Sequence, residues 1–416
     1  MGLAQVPPLL TLPHCYCLSV VRGGAVFLAA CGAECAPLGV VEFLGRLADV
    51  CAGYFGPALE ETAVRNGLTT LHLLLEEAVD CGQPFTAESN VLREMVRPPN
   101  ALSRAVQAVT GASKVSERLP PGAISGTPWR RTNAKYGNNE LAVEVREEVD
   151  CTVSAEGRVE SCMVYGELIG NSRLSGPHPL CTVTLRNPGV LGPCRLHPAV
   201  DAGRWDAGRA LAFVPPDGPF KLMSYSARGP DGAAGWGSGG APVPLYVKPQ
   251  VTFEGLRGRL SVMVGLKPGP GKRPEGVVVR VPLPEGTREA DVAANHGHVG
   301  THLHEGEVVW TIGRIPLDKP PCLTGSFTRA PEEGAGKEGA TEAGGGAAGA
   351  GEAGAGGSEG RRRAPMESPT LGVAFHVPGA AASGLAIESV RIDNVDYKAQ
   401  ARVSCSTHAG YFQLRA

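Results

Sequence analysis

No apolar run in this 416-residue chain approaches the roughly 20 residues a helix needs to cross a bilayer. No basic stretch followed by an apolar core opens it, so a secretory leader is not expected. Asn-x-Ser/Thr sequons are missing as well. These absences point to a soluble, cytosolic protein whose 12 cysteines, scattered through strand-like and helical runs, remain reduced thiols. A basic excess is also lacking: the net charge of −2 argues against a general nucleic-acid binder. What is present is 43% hydrophobic residues, enough to core two or three domains. The 57 glycines and 35 prolines favour a loop-rich β protein.

Complete enzymatic signatures are lacking too. His296, His298, His302 and His304 surround Gly300, and a hairpin would put some of them on one side. No cysteine completes a zinc pattern there, and His304-Glu305 has no second histidine at metalloprotease spacing. The cluster therefore reads as a polar strand face. Gly265 to Lys272 suggests a phosphate loop, but its spacing is one residue too long. Arg273 replaces the hydroxyl residue that would hold magnesium, and Pro268 and Pro270 remove backbone donors. Cys15 with Cys17, and Cys31 with Cys35, lack a second pair at zinc-ribbon distance and read as ordinary thiols. No catalytic, cofactor or metal site is assigned, and the chain reads as a non-enzyme.

The organisation of the chain is readable from its periodicities. Cys15 to Val21 and Ala25 to Cys31 are strand-like runs around Arg22-Gly23-Gly24, a hairpin signal. Val40, Phe43, Leu44, Leu47, Val50, Cys51 and Tyr54 recur at helical spacing, as do Leu68, Leu71, Leu74, Leu75 and Val79. Short helices are expected at Val91 to Val96 and Ala101 to Val109. Residues 111 to 127, rich in Gly, Ser and Pro, read as a linker. From Leu141 the period becomes two: Leu141, Val143, Val145, Val149, Cys151 and Val153 share one side of a strand. Further runs at Val159 to Ile169, Cys181 to Leu185, Ala210 to Val214, Val243 to Val247, Leu260 to Val264, Val277 to Val281, Val308 to Ile312 and Leu371 to Val377 predict an all-β sandwich. Residues 329 to 365, dominated by Gly, Ala and Glu, bury too little apolar surface to offset their ordering entropy and read as a disordered insert.

Phe213-Val214-Pro215-Pro216-Asp217-Gly218-Pro219-Phe220, continuing to Leu222 and Tyr225, reads as a β-hairpin corner. It also resembles a signature of the medium (mu) subunits of clathrin-adaptor complexes. Trp129-Arg130-Arg131, Lys135-Tyr136 and Asn138-Asn139-Glu140 resemble the start of that family's signal-binding domain. Thr86-Ala87-Glu88-Ser89-Asn90-Val91-Leu92 is similar to the thread between two helices of its longin domain. Pro120-Pro121, the paired asparagines, Leu174-Ser175-Gly176, Asn187-Pro188 and Ala409-Gly410-Tyr411-Phe412-Gln413 look most like the third adaptor complex. The matches span nearly the whole chain.

The resemblance implies an α+β longin-like domain over residues 1–110, a linker at 111–127, and a β-sandwich mu homology domain over 128–416 carrying the 329–365 insert. Two strands rarely make a stable sheet alone. Because the family's longin domain opens with two further strands and a helix, the expectation is an N-terminus that is short.

The implied function is cargo selection by a cytoplasmic adaptor, peripheral on Golgi and endosomal membranes and coated vesicles. It would work with two large subunits and one small subunit and require no cofactor. Arg361-Arg362-Arg363 would touch acidic lipid headgroups or keep the insert solvated, and solvation is the preferred reading. Family members add a Tyr-x-x-Φ peptide from a transmembrane cargo tail beside a strand, Φ being a bulky apolar residue. The Φ pocket carries over onto Leu141, Val143, Ile387, Val390 and Val403. The tyrosine pocket departs from the pattern. Ala142 and Glu144 stand where relatives have an aromatic and Asp, Gly189 where they often have Lys or Arg, and Arg402 and Ser404 where they have Trp or Gly and Arg or Lys. Glu144 would accept the phenol hydrogen bond, and Arg402 would lie over the ring. A structural subunit with lost or altered signal reading is the alternative.

Overall fold

The computed structural model describes residues 6–96, 127–131, 133–229, 236, 242–254, 256–267, 272–329 and 370–415. The helix expected at Ala101 to Val109, the linker up to residue 126 and the insert beyond Arg329 lie outside the described residues, as do Pro120-Pro121 and Arg361 to Arg363.

The first unit opens with three antiparallel strands, β1 (Leu9–Leu12), β2 (Cys15–Arg22) and β3 (Ala25–Cys31), ordered β1-β2-β3. Two strands were the sequence expectation. β1 escapes it because Leu9-Leu10-Thr11-Leu12 has no alternation to signal a strand, yet it pairs from Leu9 with Leu18 to Leu12 with Cys15. Next come α1 (Pro37–Phe55), α2 (Glu61–Asn66), α3 (Leu68–Ala78), the two-residue strands β4 (Val79–Asp80) and β5 (Gln83–Pro84), and α4 (Ser89–Met95). Proline at its first turn starts α1, and Gly56, with φ of 96°, ends it through an N–H bond to the Ala52 carbonyl. Leu47 and Cys51 of α1 pack with Ala78 of α3 and with Ala25 and Phe27 of β3. That packing makes one face of the sheet the inner one.

The second unit is built from β6 (Glu140–Val153), β7 (Val159–Arg173), β8 (Leu180–Arg186), β9 (Leu191–Leu196), β10 (Leu211–Phe213), β11 (Gly218–Ala227), β12 (Leu245–Glu254), β13 (Arg257–Leu266), β14 (Glu275–Pro282), β15 (Thr287–Ala294), β16 (His298–His302), β17 (Glu307–Gly313), β18 (Cys322–Arg329), β19 (Thr370–Pro378), β20 (Ala386–Asp393) and β21 (Gln400–Arg415). They form a nine-stranded sheet ordered β16-β17-β14-β19-β21-β6-β7-β11-β9, a four-stranded sheet β12-β13-β18-β15 and a three-stranded sheet β10-β8-β20. One apolar core takes residues from all three. The β-rich expectation therefore stands, with a large mixed sheet at its centre: β21 runs parallel to β6, from Gln400 beside Glu140 to Leu414 beside Val153.

The corner expected to be a hairpin is not one. β10 pairs with β8 in the small sheet, whereas β11 pairs with β7 and β9 in the large one. Pro215-Pro216 removes two backbone donors and keeps the chain extended, so it passes between sheets instead of folding back. The crossing is held from behind by Trp129 and Arg130. The Trp129 indole donates to the Val214 carbonyl at 2.9 Å. The Arg130 guanidinium donates to the carbonyls of Pro215 (3.1 Å), Leu174 (2.6 Å) and Gly176 (2.8 Å), and pairs with Asp217 at 3.1 Å. Three motifs far apart in sequence thus meet at one buried cation.

Across the β11–β7 ladder Tyr225 lies opposite Gly166 and Phe220 opposite Gly170. A methyl group on Gly166 would run into the Tyr225 ring, backed there by β-sheet that leaves it no room to move. Gly166→Ala is expected to cost about 1–3 kcal/mol by overpacking. An unchanged urea midpoint would refute this.

The two units touch through polar side chains. Glu42 of α1 meets Arg195 at 3.1 Å, Asp49 meets Lys221 at 3.0 Å, and Glu88, just before α4, meets His197 at 3.3 Å. Arg131 pairs with Glu94, and Asn90 donates to the Trp129 carbonyl. Burial pushes the Glu88 carboxyl up, but His197 and Arg46 outweigh it and hold the group below the usual glutamate range.

Candidate functional site

β6 determines the chemistry of the central sheet through its period of two. Leu141, Val143 and Val145 are fully buried, while Ala142 and Glu144 point to the other face and are half-buried. The parallel register sets Arg402 beside Ala142, Val403 beside Val143 and Ser404 beside Glu144. Ala142, Glu144, Arg402 and Ser404 therefore share one face, and Leu141, Val143 and Val403 the other.

The first half of β21 has a neighbour on one side only. β19 pairs with β21 from Ser406 onward, and among the described residues no strand flanks Gln400 to Cys405 on the side away from β6. The Gln400 N–H donates to the Asn139 carbonyl at 2.9 Å. In a parallel strand the backbone groups of alternate residues face opposite ways, so Ala401 and Val403 direct their N–H and C=O to the open side. Cys405 ends this edge, because its carbonyl accepts from the Gly379 N–H at 2.7 Å. Ala401, Arg402, Val403 and Ser404 are all exposed.

The apolar side of the edge is extended by β20. Ile387 and Val390, three residues apart, would normally face opposite ways. A bulge between Ile387 and Ser389 restores them to one side, opposite Leu185 and Val183 of β8, and both pack partly against the core. Of the apolar residues expected for a Φ pocket, Leu141 and Val143 are buried, Ile387 and Val390 half-buried and Val403 exposed.

The polar side is less complete. Glu144 accepts from the Ser406 hydroxyl at 3.0 Å and from Arg146 at 3.0 Å. Arg402, 69% exposed, pairs with Glu140 at 3.0 Å. Gly189 lies in the single turn Pro188–Val190 after β8, where a side chain would meet open space. The structure thus brings four of the five predicted tyrosine-side residues to one face and leaves Gly189 on a separate turn. Two positions further along this face, His408 stacks on His376 with ring centroids 4.5 Å apart. Burial, then His376 and Arg146, hold the His408 imidazole below the ordinary histidine value.

Sequence reasoning missed Glu147. It occupies a core-facing position of β6 between Val145 and Val149 and is fully buried. Its carboxyl group accepts from the Tyr225 hydroxyl at 2.7 Å, from the Ser383 N–H at 2.8 Å and from the Ser383 hydroxyl at 2.5 Å. Burial first, and then Glu147, push the Tyr225 phenol far up. Ser383 in turn accepts from the Leu385 N–H, so Glu147 fixes the loop that delivers β20 and its Ile387 and Val390. A glutamate at a buried position in an otherwise apolar alternation was the available signal.

His298 and His302 lie exposed on β16, with His296 in the preceding bend and His304 in the following turn. Among the described residues no group of His, Cys, Asp and Glu is placed to hold a metal ion. Nor is any described helix long and apolar enough to cross a membrane.

The sequence profile of the adaptor complexes medium subunit family matches residues 127–416. The chain belongs to that family. It is 37% identical to the AP-3 complex subunit mu of Arabidopsis thaliana over 98% of this chain and 88% of that protein. It is 33% identical to the AP-3 complex subunit mu of Dictyostelium discoideum over 99% and 90%. The fold also matches a chain in a homology model of the full-length AP-3 complex in an intermediate open conformation, with a TM-score of 0.56 at 16% identity, covering 97% of this chain and 87% of that one. This medium subunit therefore carries a mu homology domain, most like that of the third adaptor complex, and its work is vesicle cargo transport.

Proposed function

We propose that this medium subunit selects transmembrane cargo by adding a Tyr-x-x-Φ peptide as an extra strand along Gln400 to Ser404. The observation that carries the proposal is an open strand edge whose two faces differ in chemistry. In an extended peptide, residues three apart point to opposite faces. The Φ side chain then meets Leu141, Val143, Val403, Ile387 and Val390, while the tyrosine meets Ala142, Glu144, Arg402 and Ser404. Ala401 and Val403 supply backbone hydrogen bonds, which give affinity without sequence preference. Glu144 is the acceptor for the phenol, once Ser406 or Arg146 releases one of its oxygens.

The partners in this reading are two large adaptor subunits and one small subunit, and the compartments are Golgi, endosomes and the lysosome or vacuole. The first unit acts as a longin-like domain. Leu10, Leu12, Val21, Val26 and Leu28 leave its outer sheet face exposed and apolar, which suits burial against a large subunit.

A second reading, a structural subunit without tyrosine-signal recognition, is favoured by one observation: Glu144 and Arg402 are both engaged within the chain and Ala142 offers no aromatic wall. Calorimetric titration of the full chain with a Tyr-x-x-Φ peptide, and with the same peptide carrying Ala for Tyr, separates the two. Saturable binding of the tyrosine peptide alone is expected, weakened about tenfold or more by Glu144→Ala. Absence of binding by folded protein would favour the structural subunit.

A further inference from the structure

Between the four-stranded sheet and the turn after β19 lies a cleft of about 660 Å³. That volume is ordinary for a ligand site. Tyr246 of β12 covers Gly265 on one wall, and Leu317 and Ala381 contribute to the others. Lys267, Lys272 and Arg273 stand around it, exposed. None of the three has a carboxylate partner among the described residues. Lys248, its ammonium 5.6 Å from the Tyr246 ring centroid, adds a fourth cation beside the cleft with no carboxylate partner among the described residues. Asp318 next to Leu317 and Lys319 beyond it offset one another, so the rim stays positive.

This arrangement has two chemistries in one place: a largely apolar interior with an aromatic wall, and a cationic rim that the fold leaves uncompensated. We propose that the cleft binds an acidic peptide segment of a partner protein, one aromatic side chain entering beside Tyr246 and flanking carboxylates meeting Lys267, Lys272 and Arg273. The apolar interior favours a peptide over a bare anionic headgroup, because a polyanion gains nothing from proline, leucine and alanine walls. Ring-on-ring contact with Tyr246 gives the buried residue direction, and the rim gives charge selectivity and fast association. The cleft is lined by Thr407 of β21 but by none of the edge residues assigned to the tyrosine signal, so this inference does not depend on that reading.

The test is fluorescence anisotropy on the full chain with a labelled Glu-Glu-Glu-Phe-Glu peptide. Two control peptides carry Gln for each Glu, or Ala for Phe. Saturable binding is expected for the first peptide only, weakening as salt is raised. The combined variant Lys267→Glu, Lys272→Glu, Arg273→Glu should lose about tenfold or more in affinity, and so should Ala381→Trp, which fills the cleft without changing charge. Either variant suffices if the other fails to fold. Absence of binding by folded parent protein would overturn the proposal. So would equal binding of the Gln peptide, or unchanged affinity in the variants. Binding to phosphoinositide-containing vesicles without any peptide binding would overturn it in favour of a membrane ligand.

Discussion

Arg130→Ala is expected to destabilise the second unit by about 3–5 kcal/mol, because it strands Asp217 as a buried charge without its partner. The Arg130 side chain has no solvent exposure and that of Asp217 only 7%. Besides Asp217, the guanidinium serves the carbonyls of Leu174, Pro215 and Gly176, so its removal orphans three acceptors as well. Asp217 keeps the bond from the Arg131 N–H at 2.9 Å. Arg130→Lys should recover little, since a lysine ammonium has three donors at a single point and cannot span partners arranged around a planar fork. Urea unfolding followed by tryptophan fluorescence reads the loss directly. A midpoint equal to that of the parent protein would mean the knot does not hold the crossing between sheets.

Glu147→Ala is the second large effect, at about 3 kcal/mol or more. It leaves the Tyr225 hydroxyl and the Ser383 N–H buried without their acceptor, each costing roughly 1–3 kcal/mol. Glu147→Gln preserves the volume and one acceptor oxygen, so it should fall between the parent and the alanine variant. Because the loop at Ser383 leads directly into β20, both variants should, on the proposed peptide-binding reading, also weaken binding of the Φ residue more than that of the tyrosine. Peptides differing only at Φ, titrated against the parent and Glu147→Gln, would then lose their ranking in the variant. Preserved discrimination would confine Glu147 to a stabilising role.

The sequence was legible wherever the information is local. Period two in β6 separates Leu141 and Val143 from Ala142 and Glu144, and helical spacing places α1 and α3 within a few residues. What stayed hidden depends on pairing. The Pro-Pro-Asp-Gly corner has the composition of a hairpin, and only the partners of β10 and β11 reveal that it joins two sheets. β1 has no pattern of its own and exists because β2 offers it an edge. Ile387 and Val390 have the wrong spacing for one face until the bulge at Glu388 is known. Gly189 joins the expected tyrosine-side residues by resemblance alone, and its turn sets it apart from the other four.

The parallel pairing of β21 with β6 also governs how the chain comes to be folded. Ser406 and Glu144, bonded to one another in the finished sheet, are 262 residues apart. During synthesis β6 and β7 emerge well before the strand that completes their sheet. Until then β6 presents an unpaired edge with Val143, Val145, Val149 and Val153 on one face, the kind of surface that recruits other chains. Closing so long a loop is slow, and the rate of folding falls as contacting residues become more distant in sequence. The nascent subunit is therefore expected to dwell in a half-built state that chaperones must shield until β21 has been made.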